Sequence, residues 1–97
     1  MQIEYHPKLE DELLEIINYY NRCSLGLGEE FLDEFESQVM KISDNPYQWL
    51  ELQGAIRRSL MSRFPYVIYF RIVNENTLRI TVVKHQRRHP KVGLDRF

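Results

Sequence analysis

Four side chains within five positions, His85, Arg87, Arg88 and His89, make the densest cationic cluster of the chain. Guanidinium groups at such spacing can clamp phosphate oxygens or a partner's carboxylates through paired, charge-assisted hydrogen bonds. Imidazole is, as a chemical group, suited to proton transfer. Two histidines four apart make a metal pair on a helix, but a strand end is expected here and no carboxylate stands nearby. No metal and no cofactor are therefore predicted. Arg58, Arg63 and Arg71 lie on or beside apparent strands and extend the basic surface, unless carboxylates of the same molecule take them up. Tyr66 and Tyr69 sit on a central strand and read as core or interface aromatics rather than catalytic phenols. Cys23 is the single cysteine, which excludes an internal disulfide and leaves an ordinary helix-end residue.

The charges behind this cluster are segregated along the chain. Residues 1 to 53 carry twelve acidic and three basic side chains, whereas residues 54 to 97 carry ten basic and two acidic. The net charge of −1 conceals this polarity. Segregation of this kind points to an acidic or polyanionic partner for the basic half. The acidic half, with Glu10, Asp11, Glu12, Glu15, Glu29, Glu30, Asp33 and Glu34, reads as a solvated helix surface.

Ninety-seven residues suffice for one domain spanning 1–97, with a single modest core. A hydrophobic content of 43% and a charged content of 28% are ordinary for a globular chain. No apolar run is long enough to cross a bilayer, and Met1–His6 lacks the features of a signal peptide. A cytoplasmic protein without membrane contact is expected.

The elements that position the basic residues follow from hydrophobic periodicity. Gln2 to Tyr5 alternates and reads as a short strand. After Pro7, Leu9, Leu13, Ile16, Ile17 and Tyr20 recur at helical spacing, and Gly26 and Gly28 favour a tight reversal. Phe31, Leu32, Phe35, Val39 and Ile42 then mark a second helix, stopped by Asp44-Asn45-Pro46. Pro46 to Gly54 reads as a loop with Trp49 and Leu50 tucked beneath it. From there the period becomes 2, with strands expected at Ala55–Leu60, Tyr66–Val73 and Thr77–His85 and a turn at Asn74-Glu75-Asn76. Along the last strand, Leu78, Ile80 and Val82 are assigned to one face and Arg79, Thr81, Val83 and His85 to the other.

The expected fold is α+β in the order β-α-α-β-β-β, with a helix hairpin packed on one face of a small, mainly antiparallel sheet. Tyr66, Ile68, Phe70 and Ile72 face the helices. That assigns Val67 and Tyr69 to the opposite face as an exposed apolar and basic surface, which a protein partner would cover.

The segment Arg63-Phe64-Pro65-Tyr66-Val67-Ile68-Tyr69-Phe70-Arg71, the later His85-Gln86-Arg87-Arg88-His89-Pro90 and Arg96 together resemble the RelE/ParE superfamily of bacterial toxins. These belong to type II toxin–antitoxin modules and are often described as plasmid stabilisation proteins. The resemblance spans nearly all of the chain and implies the same element order.

Within the superfamily, the RelE branch cleaves messenger RNA in the ribosome. Aligned on that branch, its arginine falls at Arg87 and its proton-transferring tyrosine at Gly93, which cannot transfer a proton. Arg57 and Arg58 stand near the position of its lysine pair, and a guanidinium is a poor general base. The ParE branch, whose members poison DNA gyrase by binding, resembles this chain better. Its usual tryptophan is also Gly93 here, so weaker packing of the C-terminal segment is expected.

The resemblance therefore implies a toxin that binds a target, DNA gyrase in the ParE manner, and is neutralised by a cognate antitoxin in a hetero-oligomer. Arg58, Arg63, Arg71, His85, Arg87, Arg88 and Arg96 are the implied binding residues. The antitoxin's tail would fold across Val67 and Tyr69. Two alternatives stay open. One is a ribosome-dependent nuclease using Arg87 with His85 or His89; the other is a non-toxic antitoxin-binding or regulatory module.

Overall fold

A computed structural model describes all 97 residues. Strand β1 (Gln2–Tyr5) is followed by helices α1 (Leu9–Cys23) and α2 (Leu27–Asp44), then strands β2 (Glu51–Gln53), β3 (Ile56–Leu60), β4 (Tyr66–Asn74) and β5 (Thr77–His85). The sheet order is β1-β5-β4-β3-β2, with β1 parallel to β5 and the other pairs antiparallel. The expected α+β class and element order hold, with β2 as one strand more than periodicity showed. Three residues with only Leu52 turned inward leave too short an alternation to read. Trp49 does tuck in, edge-on to Phe70 at 6.2 Å, but Leu50 is 86% exposed.

The helix hairpin closes as its glycines require. Gly26 adopts φ +88°, a conformation only glycine takes easily, and Asn21 Oδ1 accepts the N–H groups of both Gly26 and Gly28. Asn21 thereby satisfies amide groups at the start of α2 that have no helical partner. Gly28 is buried where α2 crosses α1, and an added Cβ would run into the carbonyl oxygen of Ile17 and the Asn21 side chain. Overpacking typically costs about 1–3 kcal/mol, and alanine's better helix propensity returns up to about 1 kcal/mol. Gly28→Ala should therefore lose about 1–2 kcal/mol net, measured by urea unfolding. An unchanged midpoint would show that the helices can separate freely.

The larger core lies between the hairpin and one face of the sheet. Leu9, Phe31, Phe35, Val39 and Ile42 pack there against Ile68, Phe70, Leu78, Ile80 and Val83. The assignment of Leu78, Ile80 and Val82 to one face needs correction. Tyr69 pairs with Val82 and Phe70 with Ile80, so Thr81 is an extra residue in β5 and forms a bulge. The phase shifts by one, and Val83 joins the helix side while Val82 turns away.

The expected exposed face is also corrected. Val67 is 4% exposed and Tyr69 1%, forming a second, smaller core with Ile56 and Val82. The chain after β5 folds back over this face and sets Leu94 against it, while Leu52 packs in from β2. Periodicity located the apolar face correctly; its cover is a segment without regular structure, which periodicity cannot detect.

Candidate functional site: a cationic groove on the outer sheet face

Lys84 organises the C-terminal cover. Its side chain leaves β5 on the outer face, 4% exposed, with Nζ 4.4 Å from the centre of the Tyr69 ring. It donates to the carbonyl oxygens of His89 (2.8 Å), Pro90 (3.2 Å) and Val92 (2.8 Å), which matches three N–H donors to three acceptors. Tyr69 Oη donates to the Pro90 carbonyl as well, at 2.8 Å. Burial, and then the charge of Arg88, pull the Lys84 pKa down to about 8.

Gly93 does not loosen this segment, contrary to expectation. It takes φ +86° and lies so close to Val82 that a Cβ would strike the valine methyls. Absence of a side chain is what allows the close approach.

The predicted basic residues separate into two groups. Arg96 donates to both carboxylate oxygens of Glu12, at 2.7 and 2.6 Å, and to the Thr81 carbonyl. Hydrogen bonding to Glu12 raises its pKa, so Arg96 is a clasp holding the C-terminus to α1. Arg63 reaches Glu30 at 2.9 Å, and its backbone N–H donates to the Glu34 carboxylate. Arg79 pairs with Glu4 and Arg57 with Glu51. Each of these four bridges joins the basic half of the chain to the acidic half, which accounts for part of the charge segregation.

Arg58, Arg71, Arg87, Arg88 and Lys91 make no ion pair. Arg71 lies 4.8 Å from the centre of the Phe97 ring. Arg87 is exposed beyond the end of β5. Arg58 and Arg88 come together, both lining a groove of about 240 Å³ with Leu60, Val67, Tyr69, Lys84, Gln86 and Pro90. A shallower depression of about 540 Å³ adjoins it, sharing Arg58 and Leu60 and adding Trp49, Leu50 and Leu52. Lys84, absent from the predicted set, is central to this arrangement. Its signal was a lysine between Val83 and His85 on a strand otherwise rich in apolar residues, but only the bulge decides which way it points.

The histidines occupy local structural positions. His85 packs edge-on to Tyr66 at 5.4 Å, and its Nδ1 accepts the Arg87 N–H. His89 Nδ1 accepts the Lys91 N–H in the same manner. Nearby, burial pushes the Tyr66 phenol up and the Tyr20 phenol to about 12, so neither is poised as a base. An apolar cleft of about 410 Å³, lined by Leu13, Leu14, Ile17, Leu32 and Phe35, lies between the helices and contains none of the predicted site residues.

The structure is thus a five-stranded α+β domain with a helix hairpin and a cationic groove beside a clasped C-terminus. A family model described as "ParE toxin of type II toxin-antitoxin system, parDE" matches residues 3–90. The chain belongs to this ParE toxin family. Its fold is similar to a solved structure described as "Chromosomal ParDE TA system from P. aeruginosa", with a TM-score of 0.76 at 16% identity. That match covers 88% of this chain and 95% of the other. None of the curated proteins compared matches it.

Proposed function

We propose that this type II toxin arrests growth by binding a cellular target rather than by cutting nucleic acid, and that a cognate antitoxin neutralises it in a hetero-oligomer. The observation that carries this reading is the groove itself, where Arg58 and Arg88 stand free of carboxylates beside apolar side chains. Such a surface suits docking. Little around it suits acid–base chemistry. Arg57 is held by Glu51 and the Trp49 carbonyl, Gly93 stands at the tyrosine position, and both histidines use Nδ1 for backbone contacts.

DNA gyrase is the target proposed from the ParE resemblance. The antitoxin is placed over the cationic surface of Arg58, Arg71, Arg87 and Arg88, since Val67 and Tyr69 are already covered by the chain itself.

Induced expression in a susceptible bacterium, with and without the neighbouring open reading frame, tests both parts. Growth should stop with the chain alone and resume when the neighbour is co-expressed. DNA supercoiling by purified gyrase should fall on addition of the chain, with messages in a translating extract left intact. Harmless expression alone would count against toxicity, and specific message cleavage would favour the nuclease.

A further inference from the structure

We propose that the groove between Arg58 and Arg88 receives an acidic side chain of an extended protein segment, whose apolar side chain two residues away seats in the adjoining depression beside Leu50 and Leu60. This rests on the reading that the cationic face is a docking surface, and it names the chemistry of the occupant.

Two unpaired guanidinium groups, one from β3 and one from the C-terminal segment, can converge on a single carboxylate. Lys84 adds positive charge beneath them but no spare donor, because its three N–H groups already meet three carbonyls. The remaining lining includes Leu60, Val67 and Pro90, which favours a carboxylate carried on an apolar stem. At about 240 Å³ the groove holds one side chain. That is below the range of about 300–1,000 Å³ usual for small-molecule pockets.

The spacing argues for an extended segment. Side chains i and i+2 of a strand share a face and lie about 7 Å apart, suited to two depressions that meet at Arg58 and Leu60. Strand β2 pairs only with Ile56 and Arg57, so at Arg58–Leu60 the edge of β3 that faces away from β4 has no strand neighbour. Backbone groups on that edge are open to an added strand.

Nucleic acid fits less well. Single-strand binders track several phosphates and stack bases on exposed aromatic rings. Here Tyr69 is 1% exposed and lies under Lys84, and the chain's net charge is −1.

The test is an amide NMR titration of the intact chain with three probes: an eight-residue peptide repeating serine-leucine-serine-glutamate, its glutamine counterpart, and oligothymidylate. The acidic peptide should shift amides at 58–60 and 84–90. Arg58→Ala, Arg88→Ala and the glutamine peptide should each weaken binding about 10-fold, as expected for loss of one charged contact. Both arginines are exposed, and Arg58→Lys provides a second variant that retains charge while losing the guanidinium fork.

Absence of shifts at millimolar peptide, shifts confined to the cleft of Leu13, Leu14 and Phe35, or affinity indifferent to both arginines would overturn the proposal. So would tighter binding of oligothymidylate through the same arginines. Growth arrest without peptide binding rejects this inference alone; peptide binding by a harmless chain rejects the toxin reading alone.

Discussion

Truncating Phe31 to alanine should remove about 3–5 kcal/mol of folding stability, the usual range for deleting a fully buried aromatic side chain. Phe31 is 0% exposed and sits where three elements meet. Its ring lies 5.7 Å from Tyr20 of α1, 5.2 Å from Phe64 in the β3–β4 connection and 5.2 Å from Tyr66 of β4. Loss of the ring leaves a cavity that the helix hairpin can close only by tilting α2 against the sheet. A chain of this size has about 5–15 kcal/mol in all, so the variant retains a fraction of it and melts at least about 12 °C lower. Chemical denaturation and calorimetry check both figures. A loss below about 1 kcal/mol would mean that the aromatic cluster is not the joint between hairpin and sheet.

Phe31 also shows why so much of the fold was legible. The apolar stripes of both helices and the alternation of β4 are local patterns, and each reports the face that packs. Features fixed by non-local geometry were not legible in the same way. Thr81 has no property marking it as a bulge; the extra residue becomes visible only when Tyr69 and Phe70 are paired with Val82 and Ile80. One such residue reassigns Val82, Val83 and Lys84 at once. The short β2 was hidden for a similar reason, since pairing with β3 rather than its own alternation makes it a strand.

The site was legible in kind and less so in membership. Charge segregation located the basic surface, and the structure brings Arg58 and Arg88 into one groove. It could not apportion the arginines between partners inside and outside the molecule. Arg96 and Glu12 are 84 positions apart, and Arg63 meets Glu30 across 33. Composition predicts that such pairs exist and is silent on which ones form. Exposed pairs contribute only about 0–1 kcal/mol, so the choice is made by the packing that brings the backbones together.

Replacing Lys84 by methionine should destabilise the chain by about 1–3 kcal/mol, with the loss concentrated in the C-terminal cover. Three charge-assisted hydrogen bonds would be lost. The Val92 carbonyl is left without a donor, at about 1–3 kcal/mol, and the His89 and Pro90 carbonyls, which keep the Val92 N–H and Tyr69 Oη, lose about 1.5 kcal/mol each. Against this stands a return on the order of 3 kcal/mol from removing a buried charge whose pKa is depressed to about 8. Methionine preserves most of the packing volume, so the effect isolates the donors. Amides at 89–94 should exchange at least about 10-fold faster, and trypsin should cut sooner after Arg87, Arg88 and Lys91. A variant with wild-type exchange in this segment would show that Tyr69, Gly93 and the Arg96 clasp hold it without the lysine.

The pH response gives a second reading. The folded pKa of Lys84 lies below the ordinary 10.5, so between about pH 8 and 10.5 the unfolded chain holds a proton that the folded chain has released. The lysine's contribution therefore makes folding more favourable as pH rises through that window, and its charge opposes folding most fully below it. Urea unfolding at pH 7 and 9.5 should show this gain in the wild type and its absence in Lys84→Met, while the Tyr20 phenol, raised to about 12, still holds its proton. Because Lys84 and Arg88 line the same groove, an acidic segment docked there should raise the Lys84 pKa back toward its ordinary value. Binding would then suppress the pH dependence that the free chain displays.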